Sequence, residues 1–384
     1  MTDQTTSQRR FVLVSGYYGF GNLGDEAILE ELTNELKQLI APTDIVVLSN
    51  NPQQTAKAFG VTAISRWQPL SLITYLFKSR LFVSGGGGLF QDSTGIKSVI
   101  FYGCQITLSR ILSVPILIYA QGLGPLKGEL ARNITRLSMR EASRATVRDG
   151  TSYKMLQEWH VEAELTADPV WNLAATALPY SIAQKLKEFK SDNFTVGLSL
   201  RNSDNFGDQH FAALVSALNE NLPEKSSLLL LPLQAKQDKD LLLRFQRVWT
   251  ELGRNSWLLE TEDIQRPSQW LNILSQCDLV VGMRLHALIL ALSAGVPVVG
   301  LSYDAKVAHV LNQFEQPILN LTKESQPETV TNEWIATVRM AVATTQGLSE
   351  IAKGHAQGAK KLACQNFQLL DRLLNMQSDP SAGR

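Results

Sequence analysis

The chain has little cysteine, no net charge and no long apolar run, and each shortage excludes a class of protein. Its cysteines, Cys104, Cys277 and Cys364, are odd in number and form no CxxC pair. That pattern fits neither a disulfide scaffold nor a structural zinc site, and it points to a reducing compartment. Lys plus Arg (36) equals Asp plus Glu (36). A balanced chain lacks the basic surplus that general nucleic-acid binding needs, although local basic pockets stay open. The most apolar stretch, Ser98 to Ala120, is broken by Arg110 and Pro115, short of the roughly 18 uninterrupted apolar residues of a membrane span. The first ten residues, MTDQTTSQRR, lack the apolar core of a secretory signal. A cytoplasmic location is expected, with peripheral contact at the inner face of the membrane left open. HExxH, GxxxxGK[ST] and GxSxG motifs are missing, and His160, His210, His309 and His355 have no metal-ligand spacing. Metalloprotease, P-loop NTPase and α/β-hydrolase readings lose their main support, and no metal is expected.

What is present is a globular composition: 384 residues, 44% hydrophobic and 19% charged, enough for two or three domains. Short β-branched runs alternate with longer amphipathic stretches. FVLVS (11–15), IVVLS (45–49), LFVSG (81–85), PILIYA (115–120) and ATVRD (145–149) read as buried strands, with helices over 25–39 and 130–142. The rhythm breaks near Asp168-Pro169, and a linker is expected over about 172–192. A second series follows: FTVGLSL (194–200), SLLLLPL (227–233), SWLLE (256–260), DLVVG (278–282) and PVVGL (297–301). Parallel strands need crossover connections, so the pattern predicts two doubly wound, Rossmann-like α/β domains, 1–175 and 190–327. Residues 328–384 read as a helical tail that either closes the second domain or crosses back to the first. Ligands of such sheets bind at strand carboxyl ends, here expected along a central cleft that the two domains face.

After the first strand, Gly16-Tyr-Tyr-Gly19-Phe-Gly21-Asn22-Leu-Gly24-Asp25-Glu26 contains GxGxxG. Two carboxylates at the helix start would repel a pyrophosphate, and the second strand ends in Ser49-Asn50-Asn51 without a ribose-binding acid. Dinucleotide binding is therefore disfavoured. Two readings remain: a tight turn with Asp25 as N-cap or first-turn acid, or a loop where Asn22, Asp25 or Glu26 accepts hydrogen bonds from a hydroxyl-rich ligand. Gly85-Gly86-Gly87-Gly88, after the third strand, reads either as a loop whose amides approach a ligand or another segment, or as a sharp turn with close helix packing. Gln121-Gly122-Leu123-Gly124-Pro125 reads as another loop on the same rim. Arg148, ending its strand, either pairs with Asp149 or binds an anion. Arg132, Arg136, Arg140 and Arg144 recur every four residues, a basic ridge that is either solvated or in contact with anionic lipid.

The densest chemistry lies in CDLVVGMRLHALILALSAGVPVVGLSYDAKV (277–307). Arg284 and His286 fall between a strand end and a helix N-terminus, a place that favours anions. Lys306 follows the next strand on the same rim. A histidine here is either a structural cap or a proton donor.

In order and combination, GYYGFGNLGDEAIL, GGGGLFQD, QGLGP, VRD and GMRLHALILALSAGVPVVGLSYDAKV resemble the polysaccharide pyruvyl transferase family, in particular its CsaB type. The resemblance runs from about residue 11 to about 315. It implies a GT-B-like architecture and transfer of pyruvate from phosphoenolpyruvate onto a sugar as a 4,6-ketal, with release of phosphate. For the CsaB type it further implies an N-acetylmannosamine-containing acceptor on a cell-wall polysaccharide or its lipid-linked precursor, where the ketal anchors surface-layer proteins. Carried over by motif, Arg148, Arg284 and His286 bind phosphoenolpyruvate or act on it, and Lys306 matches the lysine after the following strand. Leu285, Gly86, Gly87 and Gln121 complete the expected substrate-binding set. Asn22, Asp25 and Glu26 would face the acceptor.

That donor carries a carboxylate and a phosphate, which suits two arginines and a lysine. His286 is expected to be the general acid, because an imidazole near pKa 6.5 samples both states at neutral pH. Asp25 is expected to be the acceptor-side base, and the chemistry requires no cofactor or metal. Arg284→Ala and His286→Ala are expected to abolish turnover with the fold intact. One rival is a GT-B glycosyltransferase using a nucleotide sugar; another is a non-catalytic sensor that keeps the fold.

Overall fold

The computed structural model describes residues 9–93, 95–191, 193–303, 305–321 and 327–376. Part of the polar N-terminal stretch, Asp304 and the end of the helical tail lie outside them. The chain divides into two compact units, Met1–Leu173 with Ala359–Arg384, and Ala174–Gly358. Residues 328–358 of the tail thus go with the second unit, and those from 359 with the first.

The first unit comprises β1 (Phe11–Ser15), α1 (Leu23–Leu39), β2 (Ile45–Ser49), α2 (Pro52–Phe59), β3 (Thr62–Ser65), α3 (Pro69–Phe77), β4 (Ser79–Ser84), β5 (Gly87–Phe90), α4 (Lys97–Ile111), β6 (Ile116–Leu123), α5 (Glu129–Arg140), β7 (Arg144–Val147), α6 (Gly150–Glu158) and β8 (Glu164–Leu165). The strands pair in parallel in the order β3-β2-β1-β4-β6-β7-β8, with β5 also on β6. β2 and β6 are buried at every residue, as expected of parallel strands covered on both faces. Leu76, Val99, Ile106 and Met139 of α3, α4 and α5 pack into one core layer. Leu29 and Leu32 of α1 and Phe59 of α2 pack into another, joined by Leu369 and Leu370 near the chain's end.

The second unit comprises α7 (Tyr180–Lys190), β9 (Phe194–Ser199), α8 (Asp208–Asn221), β10 (Ser226–Leu230), α9 (Ala235–Glu251), β11 (Asn255–Leu258), α10 (Pro267–Leu274), β12 (Leu279–Gly282), α11 (Leu285–Ser293), β13 (Val298–Ser302), α12 (Ala305–Gln313), β14 (Ile318–Asn320) and α13 (Pro327–Ala343). Its sheet is parallel in the order β11-β10-β9-β12-β13-β14. Trp334 and Val338 of α13 enter the same core as Leu214 and Leu218 of α8. The last helix, α14 (Thr345–Met376), begins in this unit, where Ser349 donates to the Gly295 carbonyl at 2.7 Å.

Several sequence expectations are corrected. Gly87 and Gly88 are not loop residues but open β5, and Gln121–Leu123 extend β6 rather than leaving it. Backbone pairing between β5 and β6 supplies what glycine's missing side chain cannot announce. The stretch expected as a linker contains the helix α7, with Ile182 and Leu186 buried. Arg144 is not on the basic helix: α5 stops at Arg140, and Arg144 opens β7. β3, β8 and β14 are further short strands that the apolar runs did not reveal.

Candidate functional site

In each sheet the strand order reverses at one point, and ligands of open α/β sheets bind outside the strand carboxyl ends there. In the first unit the reversal lies between β1 and β4. The glycine turn after β1 and the Gly85–Gly88 run after β4 flank it.

The turn is built around its own carboxylates. Asn22 caps α1 by accepting from the Gly24 amide at 3.2 Å, which leaves Asp25 and Glu26 in the first turn. Asn22, not Asp25, is thus the N-cap. Glu26 Oε1 accepts from the Gly19 amide at 2.8 Å, and the amides of Phe20 and Gly21 also bond its carboxylate. The amides that would cradle a pyrophosphate in a dinucleotide site are therefore taken by a side chain, which removes that reading. Burial pushes Glu26 up to about 7, against the pull of those amides.

Asp25 is pushed up to about 7 as well, by burial first. Arg148 opposes that shift, while Glu26 and Asp168 add to it. A carboxyl held near that value can take up or release a proton at neutral pH. Arg148 follows β7 and pairs with Asp168, whose other oxygen accepts from the Val170 amide at 3.1 Å. The expected alternative, pairing with Asp149, is corrected: Asp149 caps α6 by accepting from Ser152 at 2.7 Å. Gly87 lies against Asp25, since a Cβ there would sit 2.8 Å from Asp25 Oδ1. The Gly87 carbonyl accepts from Gln121 Nε2 at 2.7 Å. Gly86 is buried between Ile28 of α1 and the Tyr119 and Ala120 carbonyls. Gln121 Oε1 and the hydroxyl of the fully buried Tyr18 have no hydrogen-bond partner among the described residues. Asp25, Glu26, Arg148, Gly87 and Gln121 are thus brought together, and Asn22 stands exposed beside them.

In the second unit the reversal lies between β9 and β12, whose ends are level: Gly282 pairs with Ser199 and with Gly300 of β13. Arg284 is the N-cap residue of α11, followed by half-buried Leu285 and His286. Its guanidinium lies on Asp238 of α9, Nη2 to Oδ1 at 2.5 Å and Nε to Oδ2 at 3.3 Å, with a further contact to Gln237. Asp238 is fully buried and also accepts from the Gln234 amide at 2.9 Å. This fork engages one edge of the guanidinium, and Nη1 has no hydrogen bond among the described residues. Lys306 stands exposed in the first turn of α12, after β13. Among the described residues, no group of three or more His, Cys, Asp or Glu is placed to hold a metal.

Sequence reasoning missed four residues of these rims. Arg201 follows β9, donates to Tyr303 Oη at 3.3 Å and stacks 5.2 Å from that ring. Its signal was available, as the first cation after FTVGLSL. Asp168 was visible only as a break in rhythm, and Asp238 gave no signal on its amphipathic helix. Arg66 follows the unrecognised β3; it is buried, donates to the Gly16 carbonyl at 3.1 Å and lies 4.4 Å from the Phe101 ring and 5.1 Å from Phe20.

Comparison with known proteins bears on this arrangement. Residues 22–305 match the family model described as polysaccharide pyruvyl transferase. Among curated proteins, none matches the chain by sequence. Solved structures share the fold at low identity. HepE from Anabaena, in complex with UDP and glucose, is 15% identical over 95% of this chain and 99% of its own, with a TM-score of 0.59. UDP-GlcNAc 2-epimerase from Neisseria meningitidis, bound to UDP-GlcNAc, is 12% identical over 95% and 100%, with a TM-score of 0.66. A glycosyltransferase from Rickettsia africae is 10% identical over 98% and 100%, with a TM-score of 0.55. The architecture is thus of the GT-B kind, as the sequence implied.

Proposed function

The chain belongs to the polysaccharide pyruvyl transferase family, and on that premise we propose that it moves pyruvate from phosphoenolpyruvate to a pyranose of a cell-surface polysaccharide or its lipid-linked precursor, closing a 4,6-ketal. The acceptor we assign is an N-acetylmannosamine-containing glycan. The observation that carries this reading is Arg284, locked on one edge by a buried carboxylate, with an Nη1 that is unbonded among the described residues, two residues before an imidazole.

In this scheme Arg284, Lys306 and Arg148 hold the donor's carboxylate and phosphate, and His286 protonates its methylene carbon. The π electrons form the new C–H bond, and the central carbon gains oxocarbenium character. One sugar hydroxyl adds there and gives its proton to Asp25. The bond to the phosphate oxygen then breaks, with its electron pair leaving on phosphate. The second hydroxyl adds and loses its proton. The two hydroxyl protons account for the methyl hydrogen and the proton on departing phosphate, so the reaction balances without a redox partner. Glu26 and Asn22 accept hydrogen bonds from acceptor hydroxyls, Gly86 and Gly87 let Ile28 and Asp25 lie against the backbone and so fix where the sugar meets Asp25, and Gln121 Oε1 and Leu285 complete the contacts.

The test is mass spectrometry of a synthetic N-acetylmannosamine acceptor incubated with phosphoenolpyruvate. A mass gain of one dehydrated pyruvate, with phosphate released in equal amount, is expected. Transfer of a hexose from a nucleotide sugar instead would establish the glycosyltransferase reading. Binding of phosphoenolpyruvate without turnover on any pyranose would establish a sensor.

A further inference from the structure

The helical layer of α3, α4 and α5 covers one face of the first unit's sheet, and its outer surface is unusually apolar. α3, PLSLITYLF, carries no charge. Its inner side buries Leu76, yet Leu70 is 80% exposed, Ile73 43% and Phe77 60%, at the i, i+3 and i+7 spacing of one helix face. α4 exposes Ile100 and Ile111, and α5 exposes Leu130 and Leu137. Between α3 and α4 runs an open groove of about 410 Å³ lined by Leu72, Ile100, Phe101, Cys104 and Leu108. The opposite layer differs: among the described residues, no large apolar side chain is exposed on α1 or α2. Large apolar side chains exposed on three neighbouring helices, two of them flanking a groove, mark a contact.

Charge identifies the contact's chemistry. From Ile45 through Glu141, the C-cap of α5, the chain has ten Lys and Arg residues and three acids, Asp92, Glu129 and Glu141, although the whole chain is neutral. Even Asp92 is engaged, accepting from the Lys127 and Gly128 amides. Lys78 ends α3, and Lys97 opens α4 and lines the groove. α5 adds Arg132 and Arg136, with Arg136 bonded to Asn133 at 3.1 Å. Glu141 at the end of α5 is taken up by Arg110 of α4 at 2.8 Å, and an apolar face whose rim carries more cations than acids fits the headgroup and acyl boundary of an anionic bilayer. A two-fold contact with a second copy would instead bring like-charged rims together.

We infer that the outer faces of α3, α4 and α5 form a membrane-docking surface, with Leu70, Ile73 and Phe77 entering the lipid interface and Lys78 and Lys97 meeting anionic headgroups. This surface is separate from the proposed chemistry, and its test needs no turnover. The full chain is sedimented with phosphatidylcholine vesicles and with vesicles containing phosphatidylglycerol. Wild type is expected to pellet with the anionic vesicles only. The triple variant Leu70→Ser, Ile73→Ser, Phe77→Ser should lose at least about tenfold in partitioning, with unchanged melting and unchanged turnover of a water-soluble acceptor. Lys78→Glu with Lys97→Glu, a second variant at exposed positions, should weaken binding and leave the fold alone. The inference is overturned if wild type ignores both vesicles, or if the triple variant pellets like wild type. It is equally overturned if wild type sediments as a dimer that the triple variant dissolves.

Discussion

Arg284 rests its guanidinium fork on the fully buried carboxylate of Asp238, 46 residues earlier in the chain. This pairing changes what Arg284→Ala means. Sequence alone predicts that the variant loses turnover with the fold intact. Removing the guanidinium leaves a buried charge without its counter-ion, a loss of about 3–5 kcal/mol. Urea unfolding of Arg284→Ala should show that loss, while Arg284→Lys, which keeps the charge, should fold nearly as wild type. Arg284→Lys should still raise the KM for phosphoenolpyruvate at least about tenfold, because an ammonium cannot fork. Equal stability of both variants would mean that Asp238 does not depend on the pair.

Asp25 predicts a pH profile. With its carboxyl at about 7, the base form dominates above that pH, so kcat/KM should fall as pH drops below about 7. Asp25→Asn should remove that acidic limb and lower the rate by about 10²–10⁴. Glu26, also at about 7, offers the control: Glu26→Gln keeps an acceptor for the Gly19 amide and should preserve the limb. If the limb survives in Asp25→Asn and vanishes in Glu26→Gln, the base is Glu26.

Much of this was legible in the chain because parallel strands buried on both faces are continuous apolar runs. FVLVS, IVVLS and DLVVG each fell within a residue of the observed strand. The motifs carrying Asp25, Arg148 and Arg284 sit where strands end, and turns announce strand ends. The partners were not legible. Asp168 and Asp238 reach their arginines from 20 and 46 positions away, and a long-range ion pair leaves no local pattern. β5 was hidden for a different reason: two of its four residues are glycines, and its pairing rests on backbone groups that every residue carries.

Gly87 joins backbone conformation to the chemistry. Its φ of +102° disfavours any side chain, and a Cβ would meet Asp25 Oδ1 at 2.8 Å. Gly87→Ala should therefore cost about 1–2 kcal/mol in strain and also displace Asp25, with kcat falling more than KM rises. Gly60, which ends α2 at φ +61° with open space around it, separates the two effects. Gly60→Ala should lose about 1 kcal/mol by thermal unfolding and keep full activity. Loss of activity in both variants would show that strain alone accounts for the Gly87 effect.

Glu35 gives the fold a pH dependence of the opposite sign from ordinary acid unfolding. It is buried, its Oε2 accepts from Tyr119 Oη at 2.5 Å, and burial pushes it up to about 8, partly offset by that hydrogen bond. The folded chain therefore holds a proton that the unfolded chain releases above the ordinary carboxylate range. The resulting stability is fully present below about 4.5 and is lost as pH rises through about 8. Glu31, Asp25 and Glu26, each at about 7, act in the same direction. Thermal midpoints should fall from pH 5 to pH 8, with Glu35 contributing up to about 1.4 kcal/mol per pH unit. Glu35→Gln, neutral at every pH, should flatten that slope while keeping an acceptor for Tyr119. A midpoint that rises with pH over the same interval would show that Glu35 is ionised in the folded chain.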